Sequence, residues 1–220
     1  MAVDPMIDRF RATDCVYAID GKQGGRMLAP LQNRDGASWW SPLAKVADGA
    51  TFEIRQGLID RNAGTSDSGM FNDGSGNNKY LGTPINVAGY SGCLSVLWEG
   101  ISTGSGYLWQ NSIGLSARDI YVQLSGDNVV FNSGNGVKAV RILSATNAPG
   151  NVKIVAVWDM QNRKAQLYNN GELLGEQVIP EDFGSINPAI VQNMQALTQG
   201  GLAYFAFWNR ALSQEEVLAL

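Results

Sequence analysis

The chain has 220 residues, with 16 Lys+Arg against 20 Asp+Glu and no histidine. At 45% hydrophobic and 16% charged it has the composition of a chain that buries a core, unlike a disordered tail. A formal charge of −4 argues against a nucleic-acid partner, and no apolar run approaches the ~18 residues of a membrane span. The missing histidine removes Ser-His-Asp, Cys-His and most zinc catalysis.

Glycine and asparagine together make 44 of the 220 residues. Both favour tight turns, and the runs between them are β-branched and aromatic, so an all-β sandwich is expected. In chain order, Asp4-Pro5 predicts the start of a short helix with Met6, Ile7 and Phe10 on one side. Met1-Ala2-Val3-Asp4-Pro5 lacks the basic start and apolar run of a signal peptide. Cys15-Val16-Tyr17-Ala18-Ile19 reads as a strand closed by Asp20-Gly21. Gly24-Gly25 precedes Arg26-Met27-Leu28, and Asp35-Gly36 precedes Trp39-Trp40. Phe52 and Ile54 alternate with Glu53 and Arg55 as in a half-buried strand. Residues 62–78 are mostly Asn, Gly, Ser, Asp and Thr and read as a loop, or two loops around a short strand.

Further on, the pattern sharpens. Strands are predicted at Leu94–Trp98, Tyr107-Leu108-Trp109, Ile120–Leu124, Val129–Phe131 and Val137–Leu143. The continuous apolar run Ile154–Trp158 reads as a strand buried on both faces. Asn170-Gly171 between strand residues is a type I′ hairpin signal, because both positions need positive φ. Leu202–Trp208 is a last strand, and Ser213 with Glu216 forms a capping box that opens a terminal helix. Cys15 and Cys93, each in an apolar stretch, read as buried free thiols, with a disulfide as the alternative.

Several of these residues carry a family resemblance. Val157-Trp158-Asp159, then Leu167-Tyr168 and the Asn170-Gly171-Glu172-Leu173 hairpin, are followed by Phe207-Trp208-Asn209-Arg210-Ala211-Leu212-Ser213 with Glu215-Glu216-Val217. Together with Gly69–Gly74 and Tyr80-Leu81-Gly82 upstream, this resembles the concanavalin A-like jelly roll, in its laminin-G-like branch. The resemblance covers roughly residues 68–220. It implies a two-sheet antiparallel β-sandwich over 66–220, with a short C-terminal helix. Residues 1–65 form a separate N-terminal segment, a helix and arm or extra strands. That segment carries Met6, Phe10, Tyr17, Leu28 and Trp40 among its apolar residues. It must therefore dock on the sandwich or on a neighbouring chain, the latter implying a homo-oligomer.

Enzymes that use this fold can be tested on their residues. No Glu-x-Asp-x-(x)-Glu strand exists among the seven glutamates, so the glucanase carboxylate pair is missing. The lyase-type histidine and Tyr-x-Lys-x-Gly-x-Tyr run are missing too. The chain therefore reads as a non-enzyme, with a glycan-active enzyme only as a third reading. Carbohydrate binding needs aromatic faces beside polar groups. Trp39, Trp40, Tyr107 and Trp109 lie next to polar loops and are the candidate ligand-binding residues, while Trp98, Trp158 and Trp208 read as core. No cofactor is required. The resemblance also implies a loop-edge Ca²⁺, for which Asp67, Asn72 and Asp73 are the candidate ligands.

A lectin-like sandwich without an export signal suits a bacteriophage virion protein, released by lysis. The leading expectation is thus a capsid decoration, fibre, tail or baseplate component, made in the host cytoplasm, whose partners are other virion proteins and further copies of itself. The alternative is a carbohydrate-binding module of a larger secreted protein, extracellular and bound to a cell-surface glycan.

Overall fold

The computed structural model describes residues 9–10, 12–20, 26–28, 40–41, 54–62, 65–72, 80–81, 90–102, 105–111, 120–125, 128–134, 139–145, 150–188, 191, 194–197 and 200–220. Sixteen strands are assigned over these residues, in two antiparallel sheets. Strands β1 (Tyr17–Asp20), β2 (Arg26–Leu28), β3 (Trp40–Ser41), β4 (Ile54–Asn62), β5 (Thr65–Asn72) and β6 (Tyr80–Leu81) come first. They are followed by β7 (Leu94–Ser102), β8 (Gly106–Asn111), β9 (Ile120–Ser125), β10 (Asn128–Gly134) and β11 (Ala139–Ala145). The last are β12 (Gly150–Asp159), β13 (Lys164–Asn169), β14 (Glu172–Val178), β15 (Met194–Leu197) and β16 (Gly200–Trp208), before the helix α1 (Gln214–Ala219).

The larger sheet runs β14-β13-β12-β7-β16-β1-β2-β3, and β5 joins β16 while pairing with β4. The smaller sheet runs β11-β10-β9-β8-β15-β6. This is the expected antiparallel sandwich. The strand β5, eight residues long, falls where the sequence suggested mainly loop. Its Asp, Gly and Asn residues have weak strand propensity, so pairing with both β4 and β16 decides its conformation.

The core has two layers because the larger sheet is buried on both faces. Its inner face packs Trp98, Trp158, Ile154, Phe205 and Phe207 against Trp109, Val122 and Phe131 of the smaller sheet. Its outer face buries Leu97, Val155, Val157, Tyr204 and Trp208 beneath Phe10, Leu212, Val217 and Leu220. Alternate residues of β12 thus enter different layers, which is why 154–158 read as one unbroken apolar run.

Both chain ends serve that second layer. A helical turn ends with Thr13 N–H donating to Arg9 C=O, and Phe10 meets Tyr204 and Trp208 edge to face. Register pairing of Tyr17 with Phe207 then places β1 beside β16. These residues of the N-terminal segment therefore follow the extra-strand course; Asp4 to Ile7, where the helix was expected to start, lie outside the described residues. At the other end Ser213 Oγ accepts from Glu216 N–H, and the Glu216 carboxylate accepts from Ser213 N–H, the expected capping box. Asn170 (φ 50) and Gly171 (φ 84) form the predicted hairpin turn between β13 and β14.

Candidate functional site

The smaller sheet has one face in the core and one turned away from it. On β9, Ile120, Val122 and Leu124 are fully buried in the core, so Tyr121 and Gln123 between them face outward. Residues opposite one another in an antiparallel pair share a face. Backbone register therefore builds one outward row across β8, β9, β10 and β11: Gln110, Tyr121, Asn132, Arg141. A second row crosses β8 to β11 as Tyr107, Gln123, Val130 and Leu143. Gln110 and Val130 are themselves buried, so the accessible part of the face is Tyr107, Tyr121, Gln123, Asn132, Arg141 and Leu143.

A β-bulge in β8 separates the two kinds of aromatic residue. The register slips between Tyr107 and Trp109, so Leu108 and Trp109 both turn inward while Tyr107 and Gln110 stay outward. Tyr107 and Tyr121 are half-buried and meet edge to face, with ring centroids 5.2 Å apart and planes at 86°. That arrangement fixes the pair without stacking one ring flat on the other. Gln123 and Asn132 are half-buried beside them, Arg141 is exposed, and Leu143 is 59% exposed. The face thus joins aromatic and aliphatic surface to amide groups that both donate and accept hydrogen bonds.

This placement corrects part of the sequence reading. Trp109 is wholly buried and packs on Phe131 at 6.1 Å, so it is a core residue and offers no face to a ligand. Trp40 lies on β3, at the edge of the larger sheet, and so belongs to a different sheet from Tyr107. Trp39 lies outside the described residues. Of the calcium candidates, Asp67 and Asn72 both lie on β5. Five steps of extended strand put them about 16 Å apart, too far to share an ion. The loop assumed for them is a strand, and Asp73 lies outside the described residues. Among the described residues no group of three His, Cys, Asp or Glu side chains gathers as a metal site. Tyr121, Gln123, Asn132 and Arg141 were not singled out from sequence, although the alternation Ile120-Tyr121-Val122-Gln123-Leu124 contained the signal.

A concavity of about 420 Å³ opens where β7 begins and β12 and β16 end. Ser91, Cys93, Asp159, Asn162, Arg210 and Ser213 are among the residues that line it. Its strongest polar groups are already engaged. Asp159 Oδ1 accepts from the N–H groups of Gln161 and Asn162, and its Oδ2 accepts from Asn162 Nδ2 at 2.7 Å. Arg210 pairs with both oxygens of Glu216. The arrangement braces the 160–163 turn and the start of α1. Both cysteines are free thiols, and burial pushes Cys15 up to about 12.

Against solved structures, the chain is similar to the binding domain of botulinum neurotoxin DC in complex with SialylT. The match has 9% identity and a TM-score of 0.56, covering 94% of this chain and 50% of that one. It is also similar to the binding domain of Paraclostridial Mosquitocidal Protein 1, at 13% identity and a TM-score of 0.54, covering 94% of this chain and 52% of that one. A third similarity is to the CBM40 of Ruminococcus gnavus IT-sialidase bound to alpha2,3 sialyllactose. It has 15% identity and a TM-score of 0.47, covering 58% of this chain and 81% of that one. The chain spans about half of each toxin domain. The two binding domains share its fold, which defines the class: a two-sheet antiparallel β-sandwich. No family model and no curated protein matches the sequence.

Proposed function

We propose that the protein is a non-enzymatic carbohydrate-binding module whose glycan site is the outer face of the smaller sheet. The observation that carries this reading is the Tyr107–Tyr121 pair, set outward among Gln123, Asn132 and Arg141. A sugar presents C–H faces and hydroxyl edges. The tyrosine rings and Leu143 suit the first, and the amides suit the second. Two of the fold neighbours with a TM-score above 0.5 are binding domains, and one was solved in complex with SialylT, which supports a binding module. They lend no support to a virion setting, a laminin-G-like branch or self-association.

The test is a glycan array probed with the full chain, with and without Ca²⁺, followed by titration calorimetry on the best ligand. A binding module gives at least one reproducible hit, and Tyr121→Ala weakens it about tenfold. An array without hits under both conditions overturns the reading.

A further inference from the structure

We propose that the ligand of this face is an anionic glycan lying across the strands, with its sugar rings over the tyrosine pair and its carboxylate or sulfate at Arg141. The inference rests on the glycan-binding reading above and adds the charge and direction of the ligand. The first observation is the state of the arginines. Arg9 donates to the Leu220 carbonyl, Arg163 to the Pro180 carbonyl, and Arg210 is clamped by Glu216. Arg141, exposed on the edge strand of the smaller sheet, makes no hydrogen bond or ion pair among the described residues. It is also the one charged side chain in the two outward rows, which hold no carboxylate.

The second observation is geometric. Tyr121, Asn132 and Arg141 are direct register partners on three neighbouring strands. Two strand spacings separate the tyrosine from the arginine, about 10 Å. A disaccharide laid perpendicular to the strands spans that distance, with Asn132 beneath the link between its two units. A guanidinium recognises carboxylate or sulfate oxygens through paired, charge-assisted hydrogen bonds, which are about twice as strong as neutral ones. The chain as a whole is acidic, so attraction for an anion has to arise locally, at this guanidinium.

The experiment uses matched oligosaccharides on one neutral core: the uncharged form, a form ending in a uronic acid, the same form with its carboxyl reduced to the alcohol, and a sulfated form. The full chain is titrated with each by calorimetry. The expected result is about tenfold tighter binding of the charged forms than of the core, with the reduced form falling back to the core's affinity. Arg141→Gln brings the affinities of the charged and uncharged forms to within twofold of one another. Preference for the uronic acid over the sulfate identifies a carboxylate ligand, and the reverse identifies a sulfate ligand. Equal binding of all forms, or a charge preference that survives Arg141→Gln, overturns this inference and leaves the glycan-binding reading standing. Failure of every form to bind overturns both.

Discussion

Trp208 Nε1 donates to Thr13 Oγ1 at 3.0 Å, a buried bond across 195 residues of chain. The Thr13 carbonyl also accepts from Arg210 Nη2 at 2.8 Å, and Arg9 reaches the carbonyl of Leu220. The first described segment and the last are therefore held together by hydrogen bonds as well as by apolar packing.

Phe10→Ala tests that packing. The ring is fully buried between Tyr204 and Trp208, and a Phe-to-Ala change in such a site costs about 3–5 kcal/mol. Urea denaturation should show the loss as a lower midpoint. Truncation before Thr51, which removes Phe10, Thr13 and β1, should leave no cooperative transition. A truncated chain that unfolds with the full-length midpoint would show that the segment contributes nothing to the fold.

Glu216 sets an acid limit on stability. Its carboxyl is held below the usual carboxylate value, first by hydrogen bonds from Arg210 and then by the Ser213 N–H and hydroxyl, against the opposing effect of burial. A carboxyl with a depressed folded value stabilises the fold above its unfolded value and loses that contribution as pH falls through the folded one. The side chains of Arg210 and Glu216 are 36% and 30% exposed, which limits the pair to about 1 kcal/mol. Stability of Glu216→Gln should therefore differ from wild type at pH 7 and converge with it as pH drops below the carboxylate range. A constant gap between the two proteins from pH 7 to 2 would contradict this account.

Gly175 on β14 marks the side of the sandwich where the two sheets come closest. A Cβ there would lie 2.8 Å from Ile142 Cγ2 of β11, and Ser144 Oγ nearby donates to the Leu174 carbonyl. Gly175→Ala should cost about 1–3 kcal/mol through overpacking. Ile142→Leu in the same chain should recover part of the loss, since it removes the Cγ2 methyl that clashes and keeps the side-chain volume. Thermal denaturation of the single and double variants measures both effects, and a single variant as stable as wild type would mean that the sheets part freely.

Much of the fold was legible because strong local signals agreed with it. Asn170-Gly171 forms its turn whatever the tertiary context, and the Ser213–Glu216 box closes within one helical turn. The unbroken 154–158 run needed only the knowledge that a sheet can be buried twice. Residues 65–72 were illegible because their polar composition disfavours a strand, and only long-range pairing with β4 and β16 makes them one. The site was legible in type but not in address. Tyr107 and Trp109 look equivalent in sequence, and the bulge at Leu108 that sends them to opposite faces leaves no compositional mark. Arg141 stood out only after register placed it level with Tyr121, two strands away.

The bulge makes a pair of substitutions decisive. Tyr121 is half-buried on the outward face, so Tyr121→Ala removes ring surface that a sugar would cover and little that the core needs. Its expected effect is a loss of about 1–2 kcal/mol in glycan affinity, with the denaturation midpoint near that of wild type. Trp109 is fully buried between the sheets, in contact with Phe131, so Trp109→Ala opens a cavity in the inner layer. Its expected effect is a loss of about 3–5 kcal/mol in stability, with glycan affinity retained by whatever fraction stays folded. Calorimetric titration of both variants, beside their urea midpoints, separates the two roles. A Trp109→Ala protein of wild-type stability that no longer binds would put the ligand on the inward side of β8 and reverse the assignment of the two faces.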